Sequence, residues 1–297
     1  MTYALHLLVL LGIYSLLALS LHLTVRLVGL VSICQAAFFG VGAYAAARAT
    51  ALDLDGSLVL AIAAGAGLLA GLALSVLLAR LGGDFFAIAS FTIQAIALAA
   101  FVNLRGLTGG PSGLDSIPRL SFVGFVFNGW ASYLVLVWGL TALVALASWA
   151  IRRSPAGRIC TMLRQDELAV VALGINPFRY RLGLFAAGSA IASTSGALYA
   201  TYMSFINPAP FAIGPAIMVL SCVILGGAGA EVGAIIGAAV FVLLPEILRF
   251  IGLPSSMAGN LRQILFGLAL IAVMVRSGRG FSFGGRANKG SRANARC

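Results

Sequence analysis

The sequence predicts an all-α integral membrane protein, a polytopic bundle of about nine transmembrane helices within a range of eight to ten. Three observations carry this. Hydrophobic residues fill 61% of the 297 positions and charged residues 9%, where soluble domains carry about 25% charged residues, which argues against a water-soluble enzyme. Apolar stretches of about 20 residues, the length that crosses a bilayer, succeed one another along the chain. The 36 glycines are interspersed in those uncharged runs, as in helices that approach closely in lipid.

The stretches are 3–25, 27–47, 57–79, 85–104, 130–151, 182–206 and 211–225. Two shorter ones follow at 232–248 and 261–275, which read as tilted spans, broken helices or a re-entrant pair. The first lacks the basic leader of a secretory signal and is expected to stay as a membrane helix. Its His6 and His22 stand roughly 24 Å apart on a helix, too far to share a metal ion. Cys34, Cys160, Cys222 and Cys297 form no CxxC pair, so neither a metal knuckle nor a disulfide framework is expected. The connection 105–129 carries Thr108, Gly109, Gly110, Pro111, Ser112 and Gly113, then Pro118, a density that marks a turn-rich loop. Residues 1–276 are thus expected to form one transmembrane domain, with no second soluble domain expected. The basic tail 277–297, rich in Gly, Arg, Asn and Ser, is predicted to be disordered, with anionic membrane lipid as a possible contact.

Arginine placement sets the orientation. Arg152, Arg153, Arg158, Arg164, Arg179 and Arg181 crowd one connection, and Arg276, Arg279, Arg286, Lys289, Arg292 and Arg296 crowd the tail. Both are expected on the cytoplasmic side with four spans between them, which puts the C-terminus inside and the N-terminus outside. The net charge of +11 is accounted for by this asymmetry, so no nucleic acid is expected as a partner.

The chain carries no engine for converting energy. The single lysine, Lys289, lies in the tail, so no phosphate-binding GxxxxGK[ST] loop exists, and HExxH and GxSxG are absent. No catalytic residue, metal or cofactor is expected. The acids Asp53, Asp55, Asp84, Asp115, Asp166, Glu167, Glu231 and Glu246 all fall at span ends or in loops, so none is a mid-membrane proton relay. Polarity within the spans is neutral instead: Gln35, Ser90, Thr92, Gln94, Ser189, Ser193, Thr194 and Ser195. Two readings stand side by side, hydrogen bonds between helices and a weakly polar pathway for a zwitterion. For the pathway the candidates are Gln35, Phe38 and Phe39 on one segment, Ser90, Thr92 and Gln94 on another, and Thr108, Gly109 and Gly110 in the loop.

The connection 152–181 is the most informative segment. Ser154 at an N-cap and Pro155 at the first helical position start a short helix. Ile159, Met162 and Leu163 give it an apolar stripe, with Arg158 and Arg164 beside it. Asp166 and Glu167 suit the positive end of a second short helix. Ala169, Val170, Ala172 and Leu173 continue it, Gly174 ends it as a C′ glycine, and Asn176-Pro177 completes the stop. Such a loop either lies on the membrane surface or docks a cytoplasmic partner, which the paired acids and the defined stop favour.

Here the sequence resembles a family. Ser154-Pro155-Ala156-Gly157-Arg158, Arg164-Gln165-Asp166-Glu167 and Ala172-Leu173-Gly174-Ile175-Asn176 are similar to LivM-type permeases of branched-chain amino-acid ABC importers. The run Gln35 to Tyr44 agrees with it. So do Phe85-Phe86-Ala87-Ile88-Ala89 with Leu107-Thr108-Gly109-Gly110, Gly196-Ala197-Leu198-Tyr199-Ala200 with Asn207-Pro208, and Gly226-Gly227-Ala228-Gly229. The resemblance runs in order from about residue 26 to 276. It implies a type II-like helical importer fold with a homologous second permease subunit, two cytoplasmic ATPase subunits and a periplasmic substrate-binding protein, in a bacterial inner membrane. It makes 152–181 the ATPase-coupling loop, with Ser154, Gly157, Arg158, Arg164, Asp166, Glu167, Ala169 and Gly174 as its core. Cys34, Gln94 and Glu231 depart from the family pattern, and Val170 interrupts the alanine pair of the coupling motif. The expected substrates are branched-chain or other hydrophobic amino acids, with urea, short amides or another small acid as alternatives. From other classes, a self-sufficient small-solute channel or carrier and a membrane anchor of a larger enzyme remain open on the residues alone.

Overall fold

The computed structural model describes residues 2–29, 32–78, 83–122, 125–126, 129–226 and 231–250, with isolated helical positions at 261, 264, 265, 267, 268 and 271. Helix α1 (Thr2–Leu23) passes without a break into a π-helical turn, Thr24–Val28. The turn begins where the Thr24 hydroxyl donates back to the Ser20 carbonyl, 3.1 Å away. It ends at Gly29, whose φ of +73° is left-handed and which a side chain would strain. The second helix, α2, therefore runs Gln35–Thr50, not 27–47 as the hydropathy predicts. The break falls inside a run that is apolar on both sides, so polarity gives no sign of it.

Helices α3 (Gly56–Leu78) and α4 (Gly83–Asn103) follow, then a short α5 (Arg105–Thr108). The turn-rich stretch adds a 3-10 turn at Gly110–Ser112 and a two-residue hairpin, β1 (Ser121–Phe122) with β2 (Phe125–Val126). Helix α6 (Trp130–Arg153) leads to α7 (Pro155–Gln165) and α8 (Glu167–Ala172), then to α9 (Pro177–Met203). The sequence places the start of that last span at 182. In the structure Asn176 Oδ1 accepts from Phe178 N at 3.0 Å and Pro177 opens the helix, so the Asn-Pro pair that stops one helix also caps the next. Helices α10 (Ile213–Leu225) and α11 (Glu231–Phe250) follow.

Among the described residues, five helices are long and apolar enough to cross a membrane on their own: α1, α3, α4, α6 and α9. With its 13 residues, α10 is about 20 Å long, short of the ~30 Å hydrocarbon layer. A 3-10 turn, Ala209–Phe211, precedes it and sets Phe211 fully buried among the helices. The expected ninth span is represented only by the isolated positions between 261 and 271, and the tail lies outside the described residues.

α1 and α9 form the centre. In each, 56% of the most apolar stretch is buried, against 17% in α6. α9 meets α2 through small residues on both sides. A Cβ on Gly42 would strike the Ser193 carbonyl, and one on Gly196 would strike the Phe39 carbonyl. Backbones this close leave no room for larger residues, which is how lipid-embedded helices gain dispersion contact. Hydroxyls secure the crossings. Ser193 donates to Ala63 O at 2.7 Å, Ser195 to Ile13 O at 2.8 Å, and Tyr133 to Leu198 O at 2.7 Å. Interhelical bonding thus accounts for Ser193 and Ser195, whereas Ser189 and Thr194 bond within α9 itself.

The bundle has two ends. At one, Arg152 at the foot of α6 pairs with Glu231 at the start of α11, 3.5 Å apart; this is the loop end. At the other, the Arg48 guanidinium donates to the Gly106 and Leu107 carbonyls. There Leu114 also pairs with Ile206, through N–H to O distances of 2.8 and 2.9 Å. His6 and His22 lie near opposite ends of α1. His6 Nδ1 is 2.8 Å from the Tyr202 hydroxyl, and His22 is buried. Among the described residues no group of His, Cys, Asp and Glu could hold a metal ion.

Candidate functional site

The loop end is built from caps. Ser154 Oγ accepts from Gly157 N at 3.2 Å and donates to Ile151 O at 2.6 Å. Gly157 is buried against the end of α6, where a Cβ would run into the Ile151 and Arg152 carbonyl oxygens. Only glycine lets α7 fold back so tightly. Asp166 ends α7 and caps α8, its Oδ1 accepting from Leu168 N at 2.9 Å and Ala169 N at 3.1 Å. Glu167 pairs with Arg181 on the first turns of α9, 2.8 Å apart. Gly174 closes α8 at φ +77°, with its N–H on Val171 O at 2.9 Å and Ile175 N on Val170 O at 3.3 Å. That is the two-bond left-handed helix stop that glycine makes possible.

The loop has an inner and an outer face. Gly157, Cys160, Leu163 and Val170 are buried. Cys160 packs with Leu23 and Leu27 at the end of α1, joined by Ile151, Tyr180, Leu184 and Ile191. Burial pushes the Cys160 thiol pKa above its ordinary value. The Arg164 stem lies over Gly29, and its Nη1 is 3.4 Å from Arg26 O. The loop is thereby seated on the π turn of α1 as well as on the helices flanking it in sequence. The outer face carries Met162 and Val171, half exposed, with Leu168 at 81% and Leu173 at 71% exposure. The stripe Ile159, Met162, Leu163 read from the sequence is divided between the two faces: Leu163 turns into the bundle and Met162 out. Arg158, Arg164, Asp166, Glu167 and Ala169 are exposed.

Inside the bundle, Gln35 Nε2 donates to Ser20 Oγ at 2.9 Å and to Gly188 O at 3.1 Å. Gln94 Nε2 donates to Phe211 O at 2.7 Å. In both residues the amide oxygen is buried without a hydrogen-bond partner. Ser90 accepts from Ile33 N at 3.1 Å. Ser90 and Gln94 share one face of α4, four residues apart. Thr92 projects from the other face, exposed, and bonds its own helix at Ile88 O. The sequence groups the three, and helical periodicity separates them. Phe38 and Phe39 are both buried, but on different sides: Phe38 meets Phe185 at 5.6 Å, and Phe39 meets Tyr199 at 5.4 Å and Phe211 at 5.5 Å. The buried Thr108 hydroxyl donates to Phe101 O at 2.7 Å and accepts from Gly110 N at 3.2 Å, while Gly109 and Gly110 turn with positive φ. These three shape the far-end loop.

The structure adds a pocket that the sequence reading misses. It has a volume of about 410 Å³ and lies at the far end, between α1, the 207–215 turn and α11. Its lining includes Leu10, Tyr14, Tyr199, Asn207, Phe241 and Glu246. The Tyr14 and Phe241 rings are 4.6 Å apart, and Tyr14 is 6.2 Å from Phe39. Its α1 residues stand more than 180 positions from the rest of the lining, so no local motif marks the site. The available signal is Glu246, an acid that ends the uncharged run 232–245 of α11.

Residues 3–274 match the family model described as "Branched-chain amino acid transport system / permease component". Among curated proteins, the chain is 30% identical over 269 residues to the high-affinity branched-chain amino acid transport system permease protein LivM of Salmonella typhimurium, covering 80% of this chain and 61% of that protein. It is 27% identical over 206 residues to the probable branched-chain amino acid transport permease protein LivM of Methanocaldococcus jannaschii, covering 66% and 59%. It is also 27% identical over 183 residues to the autoinducer 2 import system permease protein LsrC of Klebsiella pneumoniae, covering 59% and 49%. The chain thus spans about three fifths of the length of the LivM proteins it matches. No solved structure matches it significantly. A family match over nearly the whole chain, on a helical multi-pass membrane bundle, shows that the protein belongs to the branched-chain amino acid transport system permease family.

Proposed function

We propose that this chain is the membrane-spanning subunit of an ATP-binding-cassette importer for branched-chain or other hydrophobic amino acids. It resides in a bacterial inner membrane, with the 152–181 loop and the tail in the cytoplasm. Its partners in this reading are a homologous second permease, two cytoplasmic ATPase subunits and a periplasmic binding protein. The observation that carries the reading is the outer face of the loop. Met162, Leu168, Val171 and Leu173 stand exposed on two helices whose ends are all capped. An apolar face on a rigid support fits a partner's groove, and the chain has no nucleotide-binding loop of its own.

In this reading Asp166, Gly174 and Ser154 hold the shape of the coupling loop, and Gly157 its seat. Glu167 and Arg181 fix α8 to α9, while Arg158, Arg164 and Ala169 border the contact. Gln35, Phe39, Ser90 and Gln94 border the path, with the unpartnered amide oxygens as passing hydrogen-bond acceptors. Phe38 supports them, and Thr108, Gly109 and Gly110 close the far end above them. Thr92 joins the path only where the second permease covers the outer face of α4.

Leu168→Asp combined with Leu173→Asp tests the reading. Both side chains are largely solvent-exposed, so the fold should survive. The expected result is insertion at normal abundance with loss of ATPase co-purification and of amino-acid uptake. Normal co-purification and uptake would make the loop a surface connector. Uptake of urea or a short amide in place of leucine by the unaltered complex would replace the substrate assignment.

A further inference from the structure

We infer that the far-end pocket between α1, the 207–215 turn and α11 is the entry subsite for the amino acid, with Glu246 receiving its ammonium group and Phe241 and Leu10 its side chain. The inference rests on the importer reading above and adds the binding site. At about 410 Å³, the pocket falls within the ~300–1,000 Å³ range of small-molecule sites. Its lining residues Leu7, Asn207 and Glu246 lie toward the end opposite the coupling loop, the side from which a solute arrives in that reading.

Its chemistry is selective. An ammonium leaving water for an apolar wall needs a counter-charge and hydrogen-bond acceptors. Among the described residues, Glu246 is the one acid in the lining. The Tyr14 and Phe241 rings, 4.6 Å apart, present π-faces that also favour a cation. Asn207 brings an amide N–H for a carboxylate, and Leu10, Phe241 and Val242 give an aliphatic side chain an apolar wall. A simple carboxylic acid would be repelled by Glu246, and a neutral amide would gain nothing from it.

The pocket also touches the interior path. Tyr14 and Tyr199 both line it, and both rings meet Phe39, at 6.2 Å and 5.4 Å. Phe39 thus stands between the pocket and the helix face that carries Gln35. In this arrangement a solute in the pocket is one side chain away from the bundle interior.

The test is cysteine protection in the complete importer reconstituted in lipid nanodiscs. Cys222 and Cys297 are replaced by serine, and single cysteines are placed in the pocket at Leu10→Cys and, separately, Val242→Cys. Leu58→Cys on α3 serves as the control outside it. Maleimide labelling is timed with leucine, with isoamylamine (the ammonium without the carboxylate) and with 4-methylpentanoate (the carboxylate without the ammonium). Leucine and isoamylamine at twice their dissociation constants should slow pocket labelling about threefold, 4-methylpentanoate should not, and Leu58→Cys should be unaffected. Glu246→Gln should remove the protection by isoamylamine. If both pocket cysteines label at unchanged rates while the same complex imports leucine, the subsite is overturned and the importer reading stands. Equal protection by 4-methylpentanoate overturns the role of Glu246 and with it the proposal. A complete complex that imports no amino acid overturns the importer reading and the inference together.

Discussion

Gly174 offers the sharpest mutational test of the loop, because its surroundings separate backbone strain from packing. Its φ is +77°, and a Cβ built on it meets nothing within 4 Å. A larger side chain therefore costs only the left-handed conformation, about 1–2 kcal/mol for an ordinary L-residue. Gly174→Ala should fall near the lower figure, and Gly174→Val near the upper, because branching at Cβ adds crowding. Gly174→Asn should cost the least, since asparagine tolerates this region. A cost of 1–2 kcal/mol is a factor of about 5–30 in a two-state equilibrium. α8 has six residues and depends on its two caps, so that factor appears as local opening. Hydrogen exchange in the peptide covering 167–175 should accelerate in the order Asn, Ala, Val, and substrate-stimulated ATP hydrolysis should fall in the same order. Val and Asn variants that exchange alike, both at the rate of the unaltered chain, would refute the claim that a left-handed glycine holds this helix.

Gly157→Ala should lift α7 from the foot of α6 at a cost of about 1–3 kcal/mol; the readout is Cys160, buried and normally unreactive, which should become labelled by maleimide. Glu167→Arg should weaken the fixing of α8 to α9 by up to about 1 kcal/mol, since Glu167 is half exposed, and adding Arg181→Glu should restore coupled ATP hydrolysis. Tyr133→Phe removes a buried hydroxyl that serves Leu198 O and Thr201; thermal unfolding in lipid should show a loss of about 1 kcal/mol. Cysteines placed at Ala156 and Asp115 should be labelled from opposite sides of the membrane, Ala156→Cys from the cytoplasm, and the reverse pattern would invert the topology.

Much of the fold was legible because lipid constrains helices by length and polarity. The loop was legible for a local reason: Ser154, Pro155, Asp166 and Gly174 are capping residues whose preferences act within a few positions. The break at Gly29 was not legible, because Leu27 and Val31 on either side are equally apolar and hydropathy does not report φ. Asn176-Pro177 was half legible, since one dipeptide ends a helix and begins another. The apolar stripe of α7 reads from the sequence as a single face, but Leu163 is buried while Met162 stands out, and beside Leu163, Cys160 packs on Leu23 and Leu27, more than 130 residues away. Proximity in sequence groups Thr92 with Ser90 and Gln94, but on the helix Ser90 and Gln94, at i and i+4, share the buried face and Thr92 is exposed. The pocket was invisible because Tyr14, Tyr199, Phe241 and Glu246 meet only in three dimensions.

In the proposed function this chain moves its solute only when ATPase subunits are docked on α7 and α8. Leucine uptake into proteoliposomes tests it most directly, comparing the chain reconstituted by itself with the complete complex in the presence and absence of ATP. The account predicts accumulation only with all subunits and ATP, and no specific flux through the isolated chain. Specific leucine flux through the chain alone would contradict it and identify a self-sufficient channel or carrier.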